Sequence, residues 1–317
     1  MGIIQYLDEN SIPYEENVSL SKKTWLKTGG IASILIMPSN IDQLRNVLHF
    51  LSCNAIDYQV VGQTTNIYYL DRTNPDIIVN TTHIKHYFIN GSSLICDCGV
   101  PVASLSRELV SQGYQGFFGL INLPGTIGAA TVNNSSCFDC SISELIERVN
   151  VYDIERKLER TLSFDDLKYS HRSSVLKRNE LKAVVLSVVL RLKKGSIERE
   201  KAKAEKAAEI RKATQEKPAY TLGSVFAKLD ERKSICLKIY RKVFKLLFDF
   251  GITKTLSRTH ILLRYYGYLD LQPYVSEKNI NTFIWKPEIV EKEAAFQRYC
   301  EFMHKAFVNP CLEIEIR

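Results

Sequence analysis

Residues 123–130 read Leu-Pro-Gly-Thr-Ile-Gly-Ala-Ala, a dense run of proline, glycine and small side chains between two apolar stretches. This composition predicts a tight turn whose backbone can approach another group closely. Exposed N–H groups in such a turn suit a pyrophosphate, which makes the stretch a candidate nucleotide-binding loop. A turn with a purely structural role has the same composition, so the stretch alone leaves both interpretations open.

The chain around this loop alternates short apolar runs with helical patterns from about residue 20 to residue 195. Alternation of this kind is typical of α/β or mixed α+β layering. A helix is predicted after Ser39 and Asn40, either of which can cap it. Its buried stripe is predicted to consist of Leu44, Val47, Leu48 and Leu51.

Length and composition indicate a globular protein of more than one part. The 317 residues are too many for one comfortable core, so we expect two or three subdomains. The net charge of +7 suits a phosphate-bearing ligand as well as nucleic acid and does not discriminate between them. The sequence has neither the pattern of a signal peptide nor a run of about 20 apolar residues, so we expect a cytoplasmic protein.

Eight cysteines are present, and we expect reduced thiols rather than a disulfide framework. Cys96 and Cys98 are predicted to face the same side of a strand, and Cys137 with Cys140 forms a C-x-x-C pair. A redox pair or half a zinc site is the alternative for that pair, but no second pair of ligands completes it. The sequence therefore predicts no metal site.

Residues 196–217 are charged, rich in alanine and free of glycine and proline. This composition predicts an exposed helix that either bridges two domains or lies on the surface of one.

Residues 232–250 place four apolar side chains on one face of a helix: Ile235, Ile239, Val243 and Leu247. The basic residues lie largely off that face. We expect the face to pack on a domain core, as amphipathic helices usually do. A membrane surface or RNA is the alternative partner of a basic amphipathic helix.

Six further blocks of sequence accompany the loop at 123–130. They are Thr-Trp-Leu-Lys-Thr-Gly-Gly-Ile-Ala at 24–32, Val-Val-Gly-Gln-Thr-Thr-Asn-Ile at 60–67, Lys-Tyr-Ser-His-Arg-Ser-Ser-Val-Leu-Lys at 168–177, Tyr-Thr-Leu-Gly-Ser-Val-Phe at 220–226, Val-Ser-Glu-Lys-Asn-Ile-Asn-Thr-Phe at 275–283 and Leu-Glu-Ile-Glu-Ile-Arg at 312–317. The seven ordered blocks cover nearly the whole chain and resemble those of the UDP-N-acetylenolpyruvoylglucosamine reductase family.

The resemblance implies an α+β fold, with a two-subdomain FAD-binding fold of the vanillyl-alcohol-oxidase/PCMH type and a C-terminal α+β substrate-binding domain. The FAD-binding domain is expected over residues 1–195, with two α/β subdomains split near 80–85. The substrate-binding domain is expected over 196–317. FAD is the expected cofactor, and NADPH is the expected hydride donor.

Reduction of an enol ether conjugated to a carboxylate sets three chemical requirements. Side chains supply no hydride, so a flavin reduced by a nicotinamide is implied. A permanently charged guanidinium can meet the enolate, and Arg172 stands at the family's arginine, with a surface arginine as the alternative. The resemblance places the catalytic serine, which gives the proton, at Ser224, with a hydroxyl that only stabilises a turn as the alternative. A neighbouring lysine, Lys217 or Lys228, or an ordered water can help this proton transfer. It places at Glu315 a carboxyl that stabilises the enol form when it is protonated or shares a proton. A solvated carboxylate is the alternative, and only the family pattern favours Glu315 over Glu313, which has the same parity on the strand.

The family blocks also imply the residues that hold the ligands. The expected FAD-binding positions are Gly29, Gly30, Gly62, Thr64, Thr65, Asn66, Pro124, Gly125, Thr126 and Gly128. The expected positions for the diphosphate and sugar of the substrate are Arg211, Lys278 and Asn281.

Several family positions are altered in this chain. Thr64 and Thr65 replace the second phosphate-loop glycine and its serine, which puts a β-branched side chain beside the pyrophosphate. Residues 134–140 lack both glycines of the corresponding family segment. Where such a glycine has positive φ, its replacement costs on the order of 1 kcal/mol. His171 and Asn279 replace a family tyrosine and a family histidine.

We therefore expect an oxidoreductase that uses NADPH and FAD to reduce UDP-N-acetylenolpyruvoylglucosamine to UDP-N-acetylmuramate, a step in peptidoglycan synthesis. One alternative is an FAD-dependent oxidoreductase acting on another nucleotide sugar of a surface-polysaccharide pathway. The other is a non-catalytic homologue that binds a flavin or nucleotide. The expected partner is a UDP-sugar, with no nucleic acid and no membrane span, and the chain is expected to be a monomer or weak dimer.

Overall fold

The computed structural model describes residues 2–216, 220–252, 256–285 and 291–317. Within these residues the α-helices are α1 (Ile3–Glu9), α2 (Leu20–Lys23), α3 (Ile41–Cys53), α4 (Val102–Ser111), α5 (Ile127–Asn133), α6 (Ile197–Thr214), α7 (Ile235–Asp249), α8 (Arg258–Tyr266) and α9 (Lys292–Ala306). Short 3₁₀ helices span Ile142–Glu144, Asp165–Leu167 and Leu269–Tyr274.

The strands of the described residues are β1 (Tyr14–Ser19), β2 (Ile31–Ile36), β3 (Gln59–Val61), β4 (Ile67–Tyr68), β5 (Ile77–Asn80), β6 (Tyr87–Asn90), β7 (Ser93–Asp97), β8 (Ser136–Cys137), β9 (Cys140–Ser141), β10 (Ile146–Asp153), β11 (Leu158–Ser163), β12 (Ala183–Arg191), β13 (Asp230–Glu231), β14 (Phe307–Val308) and β15 (Glu315–Ile316). Parallel and antiparallel sheets occur together with helices, which confirms the α+β class.

The chain divides into two compact units. Unit 1 contains the described residues up to Thr24 together with Thr28–Thr65 and Asp71–Glu209. Unit 2 contains Trp25–Lys27, Asn66–Leu70 and the described part of Ile210–Arg317. The domain limits expected from the sequence, 1–195 and 196–317, stay a prediction.

The first sheet of unit 1 has the strand order β1-β2-β5-β3. β2, β5 and β3 are parallel, and β1 is antiparallel to β2. The predicted helix between β2 and β3 is confirmed as α3, and the Asn40 side chain accepts a hydrogen bond from the Gln43 N–H over 2.9 Å at its first turn. Its predicted stripe is fully buried: Leu44, Val47, Leu48 and Leu51.

The second sheet of unit 1 is antiparallel throughout, in the order β11-β10-β12-β7-β6. Its central strand β12 contains the run Val-Val-Leu-Ser-Val-Val-Leu, of which only the serine is not buried. A strand that is buried on both faces requires such a continuous apolar run. α5 packs on β12 and β7, and this contact places the predicted nucleotide-binding loop at one end of the sheet.

The core of unit 2 is rich in aromatic side chains. The Phe283 ring lies 4.8 Å from Trp285 and 5.2 Å from Phe296, measured between ring centroids, and both pairs meet edge to face. Tyr299, Phe302 and Met303 extend this core along α9. Edge-to-face aromatic pairs contribute about 0.5–1.5 kcal/mol beyond the area they bury.

Two predicted helices of the C-terminal part have different outcomes. The helix expected over 196–217 is confirmed by α6, within the described residues. α7 is also a helix, but the prediction of its buried face is wrong, because Leu237 and Phe244 are the buried residues and Ile235, Ile239 and Val243 are exposed. Apolar residues occur around most of this helix, so the sequence offered two competing faces. Among the described residues, no helix has the length and apolar character that crossing a membrane requires.

Candidate functional site

Two loops of unit 1 meet at the predicted nucleotide-binding position. A Cβ atom on Gly62 would lie 2.4 Å from the Thr126 hydroxyl, so only glycine fits there. The Gln63 side-chain oxygen accepts a hydrogen bond from the Gly125 N–H over 3.0 Å. The Thr65 hydroxyl donates to the Pro124 carbonyl over 3.4 Å. These contacts hold the loops at 62–65 and 124–126 side by side.

The glycine-rich turn at 124–128 uses the conformational freedom of its glycines. Gly125 has φ +118°, a backbone region that residues with a side chain rarely adopt. A Cβ on Gly128 would lie 2.9 Å from the Cys98 Cβ, so this glycine lets α5 approach the end of β7. The expectation of exposed N–H groups needs a correction, because those of Gly125, Ile127 and Gly128 are bonded to Gln63, Val100 and Cys98.

Two of the three altered family glycines keep a glycine-like backbone. Thr64 has φ +55° and Asp139 has φ +60°, whereas Ser136 is not among the residues with positive φ. Phe138 also has positive φ, since Phe138 and Asp139 form the two-residue turn between β8 and β9. A two-residue hairpin turn prefers the sequence Asn-Gly. At position 64 the residue is a β-branched threonine, for which a positive φ is a strained conformation. The loops therefore keep their shape without the residues that adopt it most readily.

Gly29 and Gly30 approach a neighbouring loop of unit 1. The Gly29 N–H donates to Asp71 Oδ1 over 3.1 Å, and Gly29 has φ +104°. A Cβ on Gly30 would lie 2.3 Å from Asn74 Oδ1. The close contact that these glycines permit is thus with residues 71–74.

Arg172 lies in a tight turn of unit 1. Ser170 and Ser173 exchange two backbone hydrogen bonds of 3.0 and 3.1 Å across it. Arg172 is the second of the two central residues and has φ +55°, a conformation that favours glycine. Strain of this kind persists only where the surroundings fix the backbone, and it is concentrated at functional sites.

The segment that contains Arg172 is fastened to the C-terminal end of α5. The Ser174 hydroxyl donates to the Val132 carbonyl over 2.6 Å, and the Asn134 side chain donates to the Ser170 carbonyl over 2.8 Å. The Tyr169 hydroxyl donates to the Thr131 carbonyl over 3.1 Å. Because α5 begins at the glycine-rich turn, one short helix connects that turn with the arginine.

In unit 2, the segment that follows Ser224 lies beside the C-terminal segment of the chain. Glu313 donates its N–H to the Val225 carbonyl over 2.8 Å, and Phe226 and Leu312 form an antiparallel bridge. The bridge ends at this point, because Val225 donates its own N–H to the Asn281 carbonyl. Ser224 directly precedes Val225, and Glu315 follows Glu313 by two residues, so the fold brings together the two segments that contain them.

Asn66 and Asn281 extend this hydrogen-bonded layer. Glu315 donates its N–H to the Asn66 carbonyl over 2.9 Å, and the Asn66 amide donates to the Glu313 carbonyl over 3.1 Å. The Asn281 amide donates to the Phe226 carbonyl over 2.7 Å and accepts from its N–H over 2.9 Å. Both ends of the Asn281 amide are thus occupied in holding the serine segment.

Glu315 is held by Arg317, the residue just beyond β15. Arg317 Nη2 and Nε lie 2.6 and 3.2 Å from Glu315 Oε2, and Nη1 lies 3.4 Å from the Tyr69 hydroxyl. Burial alone would lower the pKa of Arg317, but the Glu315 charge and the contact with Tyr69 raise it overall. Burial also raises the pKa of Tyr69. Among the described residues, Glu315 Oε1 has no hydrogen-bond partner.

Lys278 and Lys228 make contacts of their own. Lys278 Nζ donates to the carbonyls of Lys212 and Gln215 over 3.1 and 3.4 Å, at the end of α6, where a cation is favoured. Lys228 pairs with Asp230 at 2.9 Å on the surface, and Lys217 lies outside the described residues. Arg211 lies half-buried in the last turn of α6. The substrate-binding role of Lys278, Asn281 and Arg211 stays a prediction.

The eight cysteines form no disulfide among the described residues, and those at 96, 98 and 140 are buried. Burial raises the pKa of Cys98 to about 12 and that of Cys140 to about 11, so both stay protonated at neutral pH. Cys137 and Cys140 face each other across the β8–β9 hairpin.

The residues present in unit 1 fit a dinucleotide. Gly62, Gly125 and Gly128 let the two loops lie close together at the start of α5, where a Cβ atom at any of the three would crowd a neighbouring residue. On α5, two buried polar atoms have no hydrogen-bond partner within the described residues, the Thr131 hydroxyl and Asn133 Oδ1. A buried polar atom without a partner is costly, which favours a ligand that supplies one.

Sequence reasoning missed three residues of this site. Gln63 and Asn134 fasten the loops, and no local pattern identifies their partners. Arg317 could have been found, because side chains two residues apart in an extended segment point to the same face.

Comparisons with known proteins agree with this architecture. Residues 32–157 match the FAD binding domain family FAD_binding_4. The UDP-N-acetylenolpyruvoylglucosamine reductase of Caldicellulosiruptor bescii is 31% identical over 229 residues, which cover 71% of this chain and 72% of that protein. The protein of the same name from Halalkalibacterium halodurans is 28% identical over 211 residues, 66% of this chain and 69% of that protein.

A solved structure extends the likeness to the fold of nearly the whole chain. The crystal structure of UDP-N-acetylenolpyruvylglucosamine reductase (MurB) from Thermus caldophilus superposes with a TM-score of 0.67 at 19% identity. The superposition covers 96% of this chain and 98% of that chain. The predicted FAD-binding fold is thereby confirmed, and the sequence identity to the bacterial relatives shows that the chain belongs to the UDP-N-acetylenolpyruvoylglucosamine reductase family.

Proposed function

We propose that this protein is a cytoplasmic flavoenzyme that uses NADPH to reduce UDP-N-acetylenolpyruvoylglucosamine to UDP-N-acetylmuramate for peptidoglycan synthesis. Family membership supports the reaction class. The observation that supports the proposal is the pairing of two segments of unit 2, through the bond from the Glu313 N–H to the Val225 carbonyl and the bridge between Phe226 and Leu312. These segments contain Ser224 and Glu315 and resemble the family's catalytic blocks.

FAD is proposed to lie along the two loops of unit 1. Its pyrophosphate would be lined by Gly62, Thr64, Thr65, Pro124, Gly125, Thr126 and Gly128. Gly125 and Gly128 would contribute through the shape of the loop, because their N–H groups are already bonded within the protein. Asn66, Gly29 and Gly30 complete the proposed set of cofactor residues. Bound FAD, once reduced by NADPH, supplies the hydride that no side chain can supply.

Arg172 is proposed to stabilise the negative charge that develops on the substrate carboxylate. A guanidinium keeps its proton at every relevant pH and can bind a carboxylate through two parallel hydrogen bonds. The hydrogen bonds of Ser174 and Asn134 to their partners fix the turn that presents this arginine. A charged group that the protein holds in position before the reaction stabilises the transition state more than a mobile charged group does.

Ser224 is proposed to give the proton that completes the reduction. It follows Gly223, which has φ +76°, and precedes the segment that Asn281 holds through both ends of its amide. We propose that the indirect role of Asn281 is to position this serine. A serine acts as an acid only when its position and surroundings favour the proton transfer.

Glu315 is proposed to stabilise the enol form of the substrate through Oε1. Arg317 holds the other oxygen, Oε2, and therefore orients the carboxyl group. Arg211 and Lys278 are proposed to bind the UDP diphosphate. For Lys278 this requires release from the carbonyls at the end of α6.

The test is steady-state NADPH oxidation by the purified protein with UDP-N-acetylenolpyruvoylglucosamine, alongside other UDP-sugars as controls. We expect oxidation that depends on the enolpyruvyl compound and a kcat about 10²–10³-fold lower for Arg172→Lys. Oxidation that depends on another UDP-sugar would assign the protein to a different pathway. Absence of any bindable flavin would make it a non-catalytic homologue.

A further inference from the structure

Helix α7 of unit 2 carries an apolar surface that nothing in the described chain covers. The side chains of this surface lie on one face of α7 at helical spacing, and the last two belong to the turn that follows the helix. They are Ile235, Ile239, Val243, Leu246, Phe250 and Ile252. We call this surface the α7 ridge. Their exposed fractions run from 48% for Val243 to 77% for Phe250. Single exposed apolar residues are normal, but a contiguous set marks an interaction surface.

The opposite face of α7 holds the helix in unit 2. Leu237 and Phe244 are buried, and the Tyr240 ring lies 5.2 Å from Tyr265 of α8. Arg241 pairs with Glu231 at 2.8 Å. The helix is therefore already packed, and the α7 ridge is additional to the surface that stabilises the fold.

Exposed lysines follow one flank of the α7 ridge. Lys238, Lys242 and Lys245 lie within one side of the helix, where Asp249 is the only acidic residue of α7. None of the three lysines forms an ion pair with another described residue. Their charges are thus available to an external partner.

An anionic phospholipid surface fits this pattern best. Side chains with about half or more of their surface exposed protrude from the protein, so they suit a soft interface that requires no matching groove. Branched aliphatic side chains gain no hydrophobic free energy from contact with a charged phosphodiester backbone, which argues against RNA as the partner. A helix with an apolar face and flanking lysines lies in the plane of a membrane interface, with the lysines at the anionic headgroups.

We propose that the α7 ridge binds the surface of a bilayer that contains anionic phospholipid. The ridge side chains enter the boundary between headgroups and acyl chains, and the three lysines contact lipid phosphates. The proposal is independent of the reductase activity, because the catalytic residues proposed above lie outside α7.

The experiment is cosedimentation of the full-length protein with vesicles of phosphatidylcholine and phosphatidylglycerol, compared with phosphatidylcholine alone. We expect binding to the anionic vesicles, weakened by salt. Ile239→Asp is expected to lower the partition coefficient at least about tenfold, since it removes apolar area and adds a charge at the interface. Lys242→Gln is expected to lower it about fivefold.

Leu158→Asp is the matched control, since Leu158 is 47% exposed on β11 of unit 1. It is expected to bind vesicles as the unchanged protein does. Circular dichroism checks that each variant is folded. The proposal is overturned if the unchanged protein ignores anionic vesicles, or if Ile239→Asp binds them equally well. It is also overturned if the unchanged protein does not bind vesicles but forms a dimer or binds RNA, and Ile239→Asp abolishes that interaction. The α7 ridge would then bind a second copy of the chain or RNA.

Discussion

Arg317 contacts Glu315 through a single carboxylate oxygen, Oε2, at 2.6 Å from Nη2 and 3.2 Å from Nε. The Arg317 Nη1 donates a further hydrogen bond, to the Tyr69 hydroxyl over 3.4 Å, which also holds the guanidinium in place. This arrangement orients the carboxyl group and leaves Oε1 without a partner among the described residues. Arg317 is therefore a positioning residue in the proposed mechanism.

Arg317→Gln is expected to lower kcat by about 10–100-fold while the protein still binds FAD, because a misplacement of about 1 Å at a reacting group has effects of this size. Arg317→Lys keeps the charge but not the two-point contact, and we expect an intermediate kcat. The measurement is steady-state kinetics with flavin absorbance as the check of cofactor binding. Equal kcat values for both variants and the unchanged protein would exclude the positioning role.

Gly62→Ala is expected to force the two loops of unit 1 apart, because the added Cβ would lie 2.4 Å from the Thr126 hydroxyl. Overpacking of this kind costs about 1–3 kcal/mol. We expect weaker FAD binding and a lower urea midpoint. Gly2→Ala is the control, since no atom lies within 4 Å of its Cβ position.

Thr126→Ala combined with Gly62→Ala tests whether this contact is the cause. The double variant is expected to lose less stability than the sum of the two single changes, by at least about 1 kcal/mol. Additive losses would show that the Gly62 position is sensitive for a different reason.

Asp139→Gly is expected to raise the free energy of unfolding by about 1 kcal/mol, because Asp139 is exposed and has φ +60° in the β8–β9 turn. The measurement is the urea midpoint with an unchanged denaturant slope. Asp57→Gly is the matched control at an exposed loop position outside the positive-φ set. There the glycine only adds freedom to the unfolded chain, so a loss of about 0.5–1 kcal/mol is expected. A loss at both positions would contradict the interpretation of strain in the turn.

Asp153 predicts a pH dependence of stability. Burial alone would raise its pKa, but hydrogen bonds from the Arg156 N–H and the Arg160 guanidinium, with their charges, lower it overall. A carboxyl group with a lowered pKa in the folded state stabilises the fold above its unfolded pKa of about 3.9. That contribution is lost as the pH falls through the folded pKa.

Asp153→Asn is accordingly expected to lower the free energy of unfolding by about 1–2 kcal/mol at neutral pH, with a shrinking difference below pH of about 4. Urea denaturation of both proteins across this range is the measurement. A difference that stays constant at acid pH would mean that the carboxylate charge is not what stabilises the fold.

Local patterns predicted those features that depend on local physics. The cap at Asn40 and the buried stripe of α3 follow from spacing and side-chain chemistry alone. The face of α7 could not be decided in this way, because Leu237 and Phe244 compete with Ile235 and Ile239 for burial. Only tertiary packing settles which face wins.

The site was predictable in its residue types more than in its contacts. The glycines at 62, 125 and 128 are required by close approaches that the sequence suggested. The bond from the Gly125 N–H to Gln63 joins residues 62 positions apart, and no periodicity encodes it. The positive φ of Thr64 could not be predicted from the residue type either, since threonine disfavours that conformation. Only the glycine at the corresponding family position indicated it.

The most direct test of the proposed function is the visible absorption of the FAD-loaded protein in the absence of oxygen. We predict that NADPH bleaches the flavin band and that UDP-N-acetylenolpyruvoylglucosamine then restores it, with formation of one equivalent of UDP-N-acetylmuramate. A flavin band that NADPH does not bleach, or one that this substrate fails to restore, would contradict the proposed reaction.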